Sequence, residues 1–347
     1  MRLLVVTQKI DQNDPILGFF HNWVLKLSEK FEKISVICLE KGKYDLPSNV
    51  KVYSLGKESG RSKIKYVKNF LNFILGLHKD YDAVFVHMNQ EYVLIGGFFW
   101  KLMRKKVYMW RNHRSGSICT DIASVFCNKV FCTSKYSYTA KYKKTILMPA
   151  GIDTNDFKYQ ISNTKIKQNK ILFLGRVSII KKPDLIIEAL GVLCEKGIDF
   201  VCNFYGDPLP KDEEFYASIK NRVKDLSLDS KVNFYKAVPN YETPKIYNEH
   251  SIFINLTPSG SFDKTILEAA SCGCIVIVAN QSLVGEIDDQ MVLKNVEPKN
   301  IAKTIEFWLN ESDENINKAS EKLQKYVTEK HSLESLADKI CQEIKNK

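Results

Sequence analysis

The chain has 347 residues, 44% hydrophobic and 26% charged, with 16 glycines, 10 prolines and a net charge of +11. This composition excludes a disordered or collagen-like chain, and the length suits two domains of ordinary size. No uncharged apolar run is long enough to span a bilayer, and the polar residues that follow position 7 argue against a secretory leader.

Residues 1–7 (MRLLVVT) read as a buried parallel strand because they form a continuous aliphatic run. A loop with Asp11, Asp14 and Gly18 follows, then a helix over 19–31. Strands are expected at 34–39 and 50–55, a helix at 63–78, a strand at 82–87 and a largely apolar helix at 92–103. Short strands at 106–110, 129–133 and 145–148 complete this half. Residues 158–170 are polar and read as a linker. The pattern then restarts. Strands fall at 170–175, 199–205, 232–234, 251–256 and 275–279. Helices fall at 182–195, 215–226, 244–249, 264–272, 301–309, 320–327 and 332–345. Alternating strand and helix predicts α/β folding, with doubly wound parallel sheets covered on both faces. The domains are expected at 1–157 and 165–325. The attachment of a terminal helix in 326–347 is open, with the first domain as the candidate.

Nine cysteines, mostly within apolar runs, suit buried thiols in a reducing compartment, and their spacing offers no zinc set. The charge is uneven. Residues 1–157 hold 25 Lys and Arg against 13 acids, whereas 158–347 hold 26 against 27. The excess, dense at 57–68, 101–106 and 111–144, suits anionic lipid or an acidic substrate. Nothing resembling a helix-turn-helix, finger or RNP pattern supports nucleic acid as a partner.

Ligands of open parallel sheets bind beyond the carboxyl ends of the strands, so residues there carry the functional reading. Gly175 and Arg176 follow one strand, and Lys181 stands five residues beyond the arginine. Gly permits a close turn, and the two cations suit a diphosphate. The same spacing also suits surface cations flanking a helix start. A second loop, with Gly260, Ser261, Phe262, Asp263, Lys264 and Thr265, runs into a helix carrying Glu268. Unpaired N–H groups there suit phosphate, and an ionised Glu268 suits two vicinal ribose hydroxyls. Neither a Walker loop nor a GxGxxG after the first strand is present, so ATP-driven phosphoryl transfer and dinucleotide binding are disfavoured. Gly18 suits a close approach of backbone to phosphate or sugar. Arg111, Asn112, His113 and Arg114 end another strand, and His113 suits hydrogen bonding or proton transfer near neutral pH. No His or Cys spacing suggests a metal.

At these residues the chain resembles glycosyltransferase family 4, the retaining GT-B enzymes with two Rossmann-like domains facing a cleft. The resemblance rests on five segments in the family's order: the first strand and loop through Gly18; Pro149-Ala-Gly-Ile-Asp153 with Phe157; Gly175-Arg176 with Lys181; Gly206-Asp207-Pro208; and Leu267-Glu268-Ala269 through Gly273 and Ile277. It implies that Arg176 and Lys181 neutralise the donor diphosphate and that Glu268 holds the ribose. It further implies that His113 reaches the donor sugar, that Gly18 lies against donor or acceptor, and that Ser134 lies near the cleft. The donor would be a UDP- or GDP-sugar and the acceptor a glycan or lipid-linked hydroxyl. Retention, no metal, no cofactor and a role in polysaccharide or lipopolysaccharide synthesis also follow from the resemblance. A cytoplasmic protein with peripheral contact to an anionic membrane is expected. Two departures stand out: Gly260 occupies the place of the family's first glutamate, with Asp263 as a candidate substitute, and Cys274 replaces a proline. A nucleotide-sugar 2-epimerase of similar architecture, or a non-catalytic nucleotide-sugar-binding protein, is the alternative.

Overall fold

The computed structural model describes residues 1–60, 62–160 and 169–346. The chain divides into two units, Met1–Gly151 with Leu333–Lys347, and Ile152–Ser332. The expected linker falls mostly on 161–168, which lie outside the described residues.

In the first unit the strands are β1 (Arg2–Ile10), β2 (Lys33–Lys41), β3 (Val50–Ser54), β4 (Ala83–His87), β5 (Lys106–Trp110), β6 (Lys129–Cys132) and β7 (Thr145–Leu147). They form one parallel sheet in the order β3-β2-β1-β4-β5-β6-β7. Its central strands are buried on both sides, as their unbroken aliphatic runs require. From β1 the chain steps outward to β3, then returns and steps the other way. Right-handed crossovers therefore place the helices on opposite faces of the sheet. The helix α1 (Phe19–Ser28) covers one face, where Phe20, Trp23 and Leu27 meet the sheet. On the other face lie α2 (Lys63–Gly76), α3 (Gln90–Leu102) and α4 (Ile118–Phe126), with Phe70, Ile74, Val93, Trp100 and Ala123 in the core.

The second unit holds β8 (Lys170–Leu174), β9 (Val201–Tyr205), β10 (Val232–Tyr235), β11 (Ile252–Asn255) and β12 (Ile275–Val278). These are parallel in the order β10-β9-β8-β11-β12. The helices are α5 (Pro183–Glu195), α6 (Glu213–Asp225), α7 (Thr243–Asn248), α8 (Lys264–Ser271), α9 (Pro298–Leu309) and α10 (Asp313–His331). The last helix, α11 (Leu333–Lys345), belongs to the first unit, beside α1.

The first unit ends at Gly151, six residues before the expected boundary. Phe157 explains the difference, because its ring packs on Tyr247 of the second unit at 6.2 Å. Residues 326–332 also fold with the second unit as the end of α10. That helix starts at Asp313, well before the expected 320. Its first turns are polar and only Ser320, Leu323 and Val327 are buried, so the apolar period marks its second half alone. The short α4 had no counterpart among the expected elements. Its buried residues are the small Thr120, Ala123 and Ser124, Phe126 packs only partly against the core, and Ile118, Ile122 and Val125 face outward, which reverses the usual signal.

Residues Leu336, Ala337, Ile340 and Ile344 seat α11 in the core shared with Trp23 and Leu27. Lys30 pairs with Glu334 at 2.6 Å and Asp338 at 2.8 Å at its edge, but such exposed pairs contribute little beside the apolar burial. Ile340→Ala should therefore destabilise the first unit by about 2–5 kcal/mol. Urea unfolding followed by tryptophan fluorescence measures this, and an unchanged midpoint would show that α11 does not close that core.

Candidate functional site

The carboxyl ends of β8, β9 and β11 meet α8 in the second unit. Gly175 N donates to Tyr205 O at 2.9 Å, and Gly206 N to Tyr235 O at 3.0 Å, which locks these strand ends together. Gly206 has φ +148°, and a Cβ there would collide with the Gly175 carbonyl, so only glycine lets the two strand ends approach this closely. Arg176 then projects into solvent and makes no ion pair among the described residues. A tight turn over Ile179–Lys181 follows, Lys182 adopts a left-handed conformation, and Pro183 opens α5.

That turn folds the Lys181 ammonium back over Gly175, where a side chain on the glycine would strike Nζ. There Lys181 Nζ donates to Asp263 Oδ2 at 2.6 Å. The same oxygen accepts from Asn255 Nδ2 at 2.9 Å and Thr257 Oγ1 at 3.3 Å. Oδ1 caps α8 by accepting from Thr265 N at 3.3 Å and Thr265 Oγ1 at 2.9 Å. Burial alone would raise this carboxyl, but the Lys181 ammonium and the hydrogen bonds from Asn255 and Thr265 hold it down to about 2. Asp263 is thus a structural hub. Both of its oxygens are engaged, so the carboxylate sought in place of the family's first glutamate is not free at Asp263.

Gly260 has φ +99°, a conformation that disfavours any side chain. A glutamate at this position would require a different loop backbone. The backbone N–H groups of Ser261, Phe262 and Asp263 have no hydrogen-bond acceptor among the described residues, and they precede the first turn of α8. They therefore form a positively polarised rim beside Lys181. Phe262 stacks on His331 with ring centroids 5.9 Å apart, and His331 Nε2 lies 2.9 Å from Tyr326 Oη. Burial pushes the His331 imidazole down to about 4, so it is neutral at physiological pH and backs the loop without adding charge.

Glu268 lies one turn beyond Lys264 on α8 and is buried. Its Oε2 accepts from Tyr247 Oη at 3.2 Å and its Oε1 from Asn240 Nδ2 at 3.4 Å. Burial raises the Glu268 carboxyl while the Lys264 ammonium pulls it down, and burial depresses Lys264 in turn. Gly175, Lys181, the 260–265 loop and Glu268 therefore form one cluster around the start of α8, and exposed Arg176 follows Gly175 in the chain. Asn240, Tyr247, Asn255 and Thr257 complete it, although the sequence alone did not single them out. Only Asn255 carried a signal, as a polar residue ending the buried strand β11.

The first-unit candidates occupy other loops. The Gly18 amide donates to Asp14 O at 3.0 Å, and the space a Cβ would fill is taken by carbonyls of its own loop. Its glycine is explained by that turn. Asp14 pairs with Lys9 at 2.9 Å and receives the amides of Ile16 and Leu17, so it is not a free base. His113 is exposed at the end of β5, with Nδ1 2.9 Å from Ser115 O. Beside it, Asn112 Oδ1 accepts from the amides of Thr133 and buried Ser134, both at 3.3 Å, tying the ends of β5 and β6. No group of three or more His, Cys, Asp or Glu able to hold a metal occurs among the described residues. No helix there is long and apolar enough to cross a membrane.

Comparison with known proteins places this cluster in context. The family model described as "Glycosyl transferases group 1" matches residues 154–330, just over half of the chain. A phosphatidylinositol N-acetylglucosaminyltransferase subunit of Arabidopsis thaliana is 27% identical over 208 residues, 54% of this chain and 45% of that protein. Mannosylfructose-phosphate synthase of Agrobacterium fabrum is 29% identical over 153 residues, 41% of this chain and 34% of that protein. The match thus spans less than half the length of either curated relative. Among solved structures, HepE of Anabaena in complex with UDP-glucose superposes with a TM-score of 0.79 at 14% identity, covering 99% of both chains. WaaG, a glycosyltransferase involved in lipopolysaccharide biosynthesis, superposes with a TM-score of 0.70 at 15% identity, covering 99% of this chain and 100% of its own. The two parallel-sheet units have the GT-B architecture of these glycosyltransferases, and the chain belongs to the group 1 glycosyltransferase family.

Proposed function

We propose that this protein transfers a hexosyl unit from a UDP- or GDP-sugar to a hydroxyl of a glycan or lipid-linked acceptor, with retention of configuration and without a metal. The observation that carries the reading is the meeting of Lys181 with Asp263 at the start of α8, at the end of the second sheet where exposed Arg176 follows Gly175. HepE, solved with UDP and UDP-glucose, supports a nucleotide-sugar donor at this fold. The diphosphate would lie against Arg176, Lys181 and the free amides at Ser261–Asp263. As the glycosidic bond breaks, negative charge grows on the leaving diphosphate. Fixed cations and N–H dipoles stabilise that charge without reorganising. Each Glu268 oxygen takes a single protein donor, which leaves it a lone pair to accept a ribose hydroxyl, and a diphosphate oxygen takes the acceptor proton on the same face of the sugar. His113 serves as the group that reaches the donor sugar, and Gly18 as a contact of donor or acceptor. The acceptor meets the basic first unit, in the cytoplasm at an anionic membrane surface.

The test is turnover of a panel of UDP- and GDP-sugars with acceptor glycans and lipids, with and without chelator. Arg176→Ala should lower kcat/KM about a hundredfold to a thousandfold. Glu268→Gln should weaken nucleotide binding roughly tenfold to a hundredfold by loss of charge-assisted hydrogen bonds. Chelator should leave the rate unchanged. Activity abolished by chelation removes the metal-free reading, an inverted product removes retention, and interconversion of UDP-N-acetylglucosamine without acceptor favours the epimerase.

Asp263 generates a separate expectation. Its carboxyl is held at about 2, below the value near 4 of an unfolded chain. Its contribution to stability is therefore complete above about pH 4 and is lost as the pH falls toward 2. Asp263→Asn should destabilise the second unit at neutral pH by about 3–5 kcal/mol, because it strands the Lys181 ammonium. It should also flatten the stability profile between pH 4 and 2. Thermal melts across that range check both effects, and parallel profiles for the two proteins would refute the assignment.

A further inference from the structure

Residues 286–291, which follow the edge strand β12, stand against α9 and α10 around an open cavity of about 590 Å³. All of its lining residues lie between Glu286 and Tyr326, so it shares none with the cluster at the start of α8. Its volume falls in the range of small-molecule sites. The rings of Phe307, Trp308 and Tyr326 line it, together with Met291 and Leu323. Such walls favour a flat aromatic ligand, because rings pair with rings and a thioether adds contact at a ring edge. Trp308 is 4% exposed, yet its Nε1–H meets no acceptor among the described residues. A buried donor left unmet is costly, and an acceptor on a ligand would relieve it.

The charged groups at this cavity are not equivalent. Its three acids already have donors: Glu286 pairs with Lys330 at 2.7 Å, Asp288 Oδ1 accepts from Gln290 N at 2.9 Å, and Glu311 Oε2 accepts from Asn315 Nδ2 at 2.7 Å. Its two lysines, Lys318 and Lys322, stand one turn apart on α10 and make no ion pair or hydrogen bond among the described residues. An anionic group finds two cations ready there, whereas a cation would compete with partners already in place. The cavity wall also reaches the loop before α8. Tyr326 Oη lies 2.9 Å from His331 Nε2, and the His331 ring stacks on Phe262 at 5.9 Å.

We infer that this cavity is an effector site for an aromatic ring carrying an anionic group, and that its occupancy alters the loop at the start of α8 through Tyr326 and His331. The ring lies among Trp308, Tyr326 and Met291, and the anion meets Lys318 and Lys322. A ligand pressed against the Tyr326 ring shifts its hydroxyl relative to His331, and the stacked Phe262 follows. Binding here and binding at the loop are then coupled, each changing the affinity of the other by the same factor. Only the regulatory meaning rests on reading the Ser261–Asp263 amides as the rim for a diphosphate; the cavity and its ligand class do not.

The test is calorimetric titration of the full chain with 1-naphthyl phosphate, beside 1-naphthol and inorganic phosphate. The ester should bind, and each of the other two at least about tenfold more weakly, since each lacks one half of the recognition. Lys318→Ala and Lys322→Ala should each lower ester affinity about fivefold. Ala319→Trp, which fills the cavity from α10, should abolish binding with an unchanged circular dichroism spectrum. Arg176→Ala should leave the ester's affinity unchanged. Hydrogen exchange at the amides of 261–263 should change when the ester saturates the wild type. Tyr326→Phe, which keeps the ring and removes the hydroxyl, should bind the ester and lose that change. An ester that does not bind, or that binds Ala319→Trp as well as the wild type, overturns the site. Naphthol binding as tightly as the ester overturns the anionic class, and exchange indifferent to saturating ester overturns the coupling. None of these readouts uses a nucleotide, so failure of UDP and GDP to bind would remove the donor reading alone.

Discussion

The Lys181–Asp263 ion pair holds the site together. Its two partners come from the turn after β8 and from the start of α8, and Asn255 at the end of β11 donates to the same carboxylate. An ion pair so placed contributes little unless its spare hydrogen-bonding capacity is met. Here Thr257 and Thr265 meet it. The pair also sets the electrostatics a ligand encounters. Asp263 offsets the charge of Lys181, whereas Arg176 carries a full, solvated charge. On the proposed function, a diphosphate arriving at this end of the sheet would meet one exposed cation, Arg176, and one that shares itself with Asp263. That arrangement orients the ammonium before binding and limits how strongly an anion is held afterwards.

The parallel sheets explain why the site lies where it does. Every strand in both units ends at the same edge of its sheet, and the connections that follow are free to vary without disturbing the buried runs. The second unit places the ends of β8, β9 and β11 and the start of α8 there. The first unit places Asn112 and Ser134 there, with the Asn112 amide bonding across β5 and β6. His113 is carried outward by that same knot of hydrogen bonds and not by burial of its own ring. Its exposure follows from the backbone on either side of it.

Much of this was legible before the fold was known, because buried parallel strands have an unmistakable composition. Runs such as LLVV, AVFV and IVIV located their strands to within a few residues. The cations at 176 and 181 and Glu268 were singled out from their places after those strands. What the sequence concealed was whatever depended on contacts between distant segments. Nothing local shows that Tyr247 and Asn240 face Glu268, or that Asp263 is occupied by Lys181, since those partners lie 21, 28 and 82 residues apart. Helix α4 was hidden for another reason: its apolar period is present but turned toward solvent, so a search for a core-facing stripe does not find it.

The departure at Gly260 changes the kind of recognition the loop offers. A glutamate is an acceptor of hydrogen bonds and carries negative charge, so it grips sugar hydroxyls as donors. With Gly260 at φ +99° and Asp263 committed to Lys181, the loop presents no free carboxylate at this point. It presents the N–H groups of Ser261, Phe262 and Asp263, which are donors only. In the proposed donor site this reverses the polarity of the contact, so groups on the ligand that accept hydrogen bonds or carry negative charge would be favoured over hydroxyls acting as donors. The stacked Phe262 and neutral His331 keep that donor rim in place without competing for the ligand, because neither adds charge to it. On the proposed function, selectivity at this end of the site is a property of backbone conformation, set by one glycine and one capped helix.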